Sequence, residues 1–199
     1  MNEAEILKEF TDSEAILKGH FILSSGLHSD TYLQCARVLM DTKRSERLCS
    51  ALAQKLKNTL PDVKFDLVVA PAMGGVIVGY EMGRQLGVNS IFCERENGAF
   101  TIRRGFGFSK GTKILVVEDV VTTAKSSLET IECIKANGGE VVAEASLVNR
   151  GWGAEKLPVP LVSLLNLSIE SYQADSLPEH LVNIPAVKPG SRWLNVTPP

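Results

Sequence analysis

What this chain lacks narrows its class before any motif is read. No apolar run approaches the ~20 residues that a membrane-spanning helix needs. The amino terminus, M-N-E-A-E-I-L-K-E-F, is acidic and amphipathic, unlike a secretory leader. Excess charge is missing too: 21 Lys and Arg against 23 Asp and Glu give a formal net charge of -2, which argues against nucleic acid or a membrane surface as a general partner. Cysteines number only four, Cys35, Cys49, Cys93 and Cys133, and none stands in a C-x-x-C pair. They read as reduced packing residues and not as disulfides or zinc ligands. His20 and His28 are too far apart for a helical pair and have no acidic partner at a ligand spacing, so each reads as a surface or packing residue. Repeats and low-complexity segments are absent. The expectation is a cytoplasmic protein of 199 residues forming one domain over 1–199, with room for a small lobe but not for a second catalytic domain.

What is present centres on Thr112 to Ser127, T-K-I-L-V-V-E-D-V-V-T-T-A-K-S-S. The uninterrupted apolar run Ile114–Val117 suits a strand buried on both faces of a parallel sheet. Glu118 and Asp119 follow at once, and a sheet core cannot solvate them. The strand is therefore expected to end there, with both side chains in the crevice at its carboxyl edge, where open α/β sheets bind ligands. After the small, hydroxyl-bearing turn Thr122–Ser127, Leu128, Ile131 and Ile134 recur every three residues and Gly138-Gly139 supplies a stop, so a helix begins just past the acids. Its free N–H groups and positive dipole end make an anion site. A Walker phosphate loop is rejected, because Asp119 and Ala124 occupy its two glycine positions before Lys125-Ser126.

The rest of the chain builds a scaffold around this stretch. Residues 3–18 carry a helical stripe of Ile6, Leu7, Phe10, Ile16 and Leu17, with Thr11-Asp12-Ser13 as a possible break, and residues 20–35 read as a hairpin around Ser25-Gly26 and Ser29-Asp30. Residues 43–60 form an amphipathic helix with Leu48, Leu52, Leu56 and Leu60 at intervals of four. Strands are expected near 66, 90, 113, 141 and 161, giving an α/β fold with a five-stranded, mostly parallel sheet covered by helices on both faces. Pro71–Gly75 is a second glycine-bearing strand-to-helix turn at the same edge. Residues 94–111 show neither helical nor alternating order and read as a loop. Between Glu94 and Lys113 it holds five basic residues, Arg95, Arg103, Arg104, Lys110 and Lys113, which suits either a lid over phosphates or a solvated hairpin. Arg150 ends a further apolar strand beside the central motif, where it can meet a substrate carboxylate or form a surface salt bridge.

The V-V-E-D-V-V-T-T segment resembles the phosphoribosyl-pyrophosphate (PRPP) signature of the type I phosphoribosyltransferases, in the form seen in the orotate branch. Three further stretches resemble that branch: L-S-S-G-L-H-S-D-T-Y at 23–32, E-R-E-N-G with R-R-G-F at 94–106, and I-P-A-V-K-P-G-S-R at 184–192. The resemblance implies the type I fold with a small hood from residues 19–40 and the C-terminal tail, and transfer of phosphoribosyl from PRPP to orotate in pyrimidine synthesis. It gives Glu118, Asp119 and Arg95 catalytic roles, the acids holding the ribose. Val120, Val121, Thr122, Thr123, Ala124, Lys125 and Ser126 would bind PRPP, those from Thr122 to Ser126 holding its 5′-phosphate. Met73 and Gly74 would approach pyrophosphate, with Arg103 and Arg104 closing over it. Thr122, Arg150, Ser25, Gly26 and Tyr32 would meet orotate. It further implies Mg²⁺ bound through PRPP and water near the two acids, with no direct protein ligand, and a homodimer whose loop reaches the partner's site. The chain departs from the pattern at Ala124, where the family commonly has glycine, at Ser24 and Gly74, where lysines are known, and at Glu96 and Ala99, near the lysines and histidine of other branches. A purine phosphoribosyltransferase and a non-catalytic, PRPP-sensing regulator on the same fold are the alternatives.

Overall fold

A computed structural model describes residues 1–23, 26–151 and 153–189; Ser24, Ser25, Trp152 and the tail from Gly190 lie outside the described residues. Helix α1 (Glu3–Asp12) starts at a capping box in which Asn2 and Glu5 exchange hydrogen bonds. It does not run to residue 18. Ser13 caps it, Glu14 takes a left-handed φ of 51°, and Ile16 and Leu17 begin β1 (Ile16–Ile22). This strand forms the expected hairpin with β2 (His28–Leu33), with a register shift between Lys18 and Phe21. A short helix that the sequence did not suggest, α2 (Cys35–Leu39), leads into α3 (Thr42–Thr59).

The main sheet is entered at β3 (Leu67–Pro71), followed by α4 (Gly74–Leu86), β4 (Asn89–Glu96), β5 (Ala99–Ile102), β6 (Lys113–Val121), α5 (Lys125–Ala136), β7 (Glu140–Asn149) and β8 (Leu161–Asn166). Spatial order is β5-β4-β3-β6-β7-β8, so the sheet has six strands, one more than expected. The addition is β5, which returns antiparallel along β4 through a turn in which Asn97 and Gly98 have φ of 51° and 88°. Positive φ at two consecutive turn residues matches the twist of a tight hairpin, so half of the supposed loop is an edge ribbon. The other five strands are parallel.

Alternation along the central strands divides the core. Leu115 and Val117 face the layer of α1 to α4, whereas Ile114 and Val116 pack with Ile131 and Ile134 of α5. All four strand residues are fully buried. That two-sided burial is what the apolar run required. Among the described residues no helix is long and apolar enough to cross a membrane, and all four cysteines are free.

The β1–β2 hairpin stands over the carboxyl edge of the sheet and is tied to the chain's last described segments. Main-chain bonds join Ile22 to Val187 and His28 to Tyr172. His20 and His28, read as unrelated surface or packing residues, are buried against each other: Nε2 of His20 lies 2.6 Å from Nδ1 of His28, and Nδ1 of His20 lies 2.7 Å from the carbonyl of Ile184. A carbonyl only accepts, so in the neutral ring Nδ1 of His20 donates to Ile184 and its Nε2 accepts from His28. Replacing His28 by Phe keeps a ring but leaves that acceptor unpartnered, and is expected to cost about 1–3 kcal/mol. Urea unfolding checks it; an unchanged midpoint would contradict the pairing.

Candidate active site

Strand β6 does not stop at its apolar run. Its ladder with β7 continues through Glu118 to Val121, so the two acids sit within the strand and, by alternation, point to opposite faces. This corrects the expectation that the strand ends before them. Both still line one cleft of about 680 Å³ at the carboxyl edge, where the start of α5 forms part of its wall. Glu118 is buried, 7% exposed, and its carboxyl is pushed well above the usual carboxylate range by burial, then by the neighbouring Asp119 and Glu144. Asp119 is likewise raised by burial, partly offset by the N–H of Val120 donating to its Oδ1 at 2.9 Å. Carboxyls so poorly solvated favour partners that bring hydrogen-bond donors or positive charge.

Immediately downstream the cleft wall is Thr122, Thr123, Ala124, Lys125 and Ser126, leading into α5. Ala124 is the N-cap and no side chain caps the helix, so the amides of its first turn face the cleft as free donors. Ala124 adopts φ of 60°. That left-handed conformation favours glycine, costing roughly 1–2 kcal/mol for a residue with a Cβ, but its single methyl is buried and recovers part of this. The backbone of the turn is backed by Gly153, where a Cβ would come within 2.4 Å of Thr123 C and 2.5 Å of Ala124 N.

Arg150 follows β7 and its N–H donates to Val121 O at 2.9 Å, which brings the guanidinium to the same cleft. It is 5% exposed, yet its Nη2 has no hydrogen-bond partner. Burial lowers its pKa, opposed by the nearby charges of Asp30 and Tyr32. A buried guanidinium with an idle donor is suited to a carboxylate or carbonyl ligand. Tyr32 of β2 completes this end, its hydroxyl raised first by burial and next by Asp119. Gly26 lies at the hairpin tip between Leu23 and Leu27, both of which line the cleft, while Ser25 is outside the described residues.

The remaining expected residues are less convergent. Gly74 is close: a Cβ there would lie 2.8 Å from Oδ1 of Asp119, so this turn abuts the acids, and the absence of a side chain leaves the carboxylate accessible. Met73 is 85% exposed, beside it. Arg95 lines the cleft but is engaged by Glu129, by Gly98 O at 2.8 Å and by the ring of Phe100 at 4.3 Å. Arg103 pairs with Glu96 at 3.2 Å and Arg104 makes a fork with Glu94 at 3.0 and 2.9 Å. Neither lines the cleft of its own chain. Sequence reasoning missed Leu23, Leu27, Leu33, Gln34, Ser127 and Ser171 of the lining; proximity to S-S-G, to Tyr32 and to the central turn could have flagged all but Ser171.

This geometry has close counterparts. Residues 38–171 match the family model described as phosphoribosyl transferase domain. The chain is 55% identical over 193 residues, 96% of its length and 98% of the relative's, to an orotate phosphoribosyltransferase of Sphingopyxis alaskensis. It is 51% identical over 194 residues, 98% and 100% of the two chains, to that of Maricaulis maris. The crystal structure of orotate phosphoribosyltransferase from Aeropyrum pernix superposes with a TM-score of 0.68 at 29% identity, covering 81% of this chain and 93% of that one.

Since burial raises Glu118 above the range it has in the unfolded chain, its ionisation opposes folding: its contribution is fully present below about pH 4 and lost as pH rises through the folded value. Glu118→Gln is therefore expected to exceed the parent in urea midpoint at about pH 8, the gap shrinking towards about pH 5, with each tenfold difference in proton affinity between folded and unfolded chain worth about 1.4 kcal/mol. A gap independent of pH would contradict the burial argument.

Proposed function

This chain belongs to the orotate phosphoribosyltransferases of the phosphoribosyl transferase family, and we propose that the cleft at the end of β6 is where it joins orotate to PRPP, releasing pyrophosphate. One observation carries the assignment of roles: two poorly solvated acids, an uncapped helix start and a buried arginine with an idle donor line a single cleft. Glu118 and Asp119 accept hydrogen bonds from the ribose hydroxyls, and the amides and hydroxyls of Thr122 to Ser126 hold the 5′-phosphate. Arg150 takes the orotate carboxylate or a ring carbonyl, with Thr122, Tyr32, Ser25 and Gly26 orienting the base.

Displacement at the anomeric carbon passes through an oxocarbenium-like state, so the protein supplies no nucleophile. It holds the reactants in line and stabilises separating charge. The acids beside the sugar suit the positive charge that grows on the ring, and the Met73-Gly74 turn and Arg95 suit the negative charge on pyrophosphate. Arg95 must exchange Glu129 for phosphate to do this, as a lid residue would. The oxygen-rich donor set next to a phosphate site fits Mg²⁺ held by pyrophosphate and water near Glu118 and Asp119, and when bound this ion would supply charge neutralisation at the leaving group.

A homodimer with a shared loop is part of the proposal. Its support is a set of solvent-exposed apolar residues, Met73 at the N-cap of α4, Ile77 and Tyr80 on that helix and Met40 at the end of α2, and the exposed pairing of Arg103 and Arg104. A second copy covering this set would bring those arginines within reach of its cleft. The cytoplasmic setting is likewise proposed, on four unpaired cysteines.

Ultraviolet assay with PRPP and Mg²⁺ should show consumption of orotate but not of adenine or hypoxanthine; the reverse preference would overturn the substrate assignment. Asp119→Asn is expected to lower kcat/KM by about 100-fold or more without lowering the melting temperature, and parallel losses of both would mark the acids as structural. Mixed dimers of an Arg103→Ala, Arg104→Ala chain with an Asp119→Asn chain should regain activity at one of two sites, whereas no recovery would indicate a loop serving its own subunit.

A further inference from the structure

Glu144 lies in the middle of β7, opposite Val116 of β6 and Leu161 of β8. It is fully buried, on the face of the sheet that carries Ile114 and Val116, packs against Ile131 and Ile134 of α5, and has Glu118 and Ser146 next in register. A carboxyl in such surroundings costs several kcal/mol unless something holds it. The only hydrogen bond to it among the described residues comes from Ser127, whose Oγ donates to Oε1 at 2.6 Å; Oε2 has no partner.

Ser127 is the residue immediately after the amide-lined turn, in the first turn of α5. That turn has no capping side chain, and Gly153 backs it from the other side through main-chain contact alone. The Ser127–Glu144 hydrogen bond is thus a buried polar tie between the first turn of α5 and β7 beneath it. We propose that Glu144 is a positioning residue for substrate: through Ser127 it fixes the first turn of α5 against β7 and so sets where the amides of residues 122–126 meet the 5′-phosphate of PRPP. Burial pushes the Glu144 carboxyl up to about 7, opposed by the Ser127 hydrogen bond, so near neutrality much of it is the uncharged acid, for which glutamine is a close mimic.

The inference rests on the reading of residues 122–126 as the phosphate cradle, and its test is separable from that reading because it compares Michaelis constants in an enzyme that remains active. Glu144→Leu and Ser127→Ala should each raise KM for PRPP about 10-fold, with kcat and KM for orotate changed much less, as expected for loss of binding common to ground and transition states. Glu144→Gln, which retains an acceptor for Ser127, should restore KM for PRPP to near the parent value. The double variant Ser127→Ala, Glu144→Leu should be no worse than either single one, since both cut the same tie. Additive effects, equal rises in both Michaelis constants, or a Ser127→Ala enzyme with unchanged KM for PRPP would each overturn the proposal. Should Glu144→Leu fail to fold, the Ser127→Ala and Glu144→Gln pair still decides it. Failure of the parent to bind PRPP in calorimetry would instead refute the cradle reading itself.

Discussion

The constraint on which the structure turns is the poor solvation of two adjacent carboxyls at the end of a core strand. Main-chain bonding carries β6 past its apolar run, so Glu118 and Asp119 are fixed on opposite faces of a rigid ladder with little water and few donors of their own. The protein tolerates this only because the edge of the sheet opens there. A ligand rich in hydroxyls, accompanied by cations, restores the solvation that folding removed. Binding strength and folding stability are in this sense set against each other at the same two residues, a common arrangement where a site is preorganised.

Around those acids the fold converges two strand-to-helix turns and a hood. The turn into α5 offers amides without a capping side chain, and the turn into α4 brings a glycine against Asp119. Arg150 is delivered by the parallel strand next door, and Tyr32 by the hairpin above. The positions come from sheet register, which is why residues more than a hundred apart in sequence line one cleft. The β4–β5 ribbon differs in kind: its arginines are held by surface carboxylates, pairs weak enough to be exchanged for phosphate.

Much of this was legible in the sequence, for definite reasons. The Ile114–Val117 run, the acids and the small turn announce strand, site and helix start in order, and the leucine spacing of α3 marks a scaffold helix. The illegible parts share a cause, in that local chemistry was overridden by pairing with distant chain. Strand β6 continues through two acids because β7 completes its ladder. Asn97-Gly98 is a hairpin signal, but the surrounding charges hid the short strands on either side. His20 and His28 look unrelated until an irregular hairpin register brings their rings together, and Glu144 sits within an apolar strand that gives no hint of its contact with Ser127. Arg103 and Arg104 were expected to close over pyrophosphate from the basic loop as well as from the resemblance, and their pairing with Glu96 and Glu94 could not be read from the spacing of the charges.

The central claim is spatial: one sugar phosphate spans the acids and the amide-lined turn behind them. A crystal structure of the protein soaked with PRPP tests it most directly. The account predicts the 5′-phosphate against the main chain of Thr122 to Ser126 and the ribose hydroxyls on Glu118 and Asp119. PRPP seated elsewhere, or Asp119 turned away from it into the interior, would contradict the account.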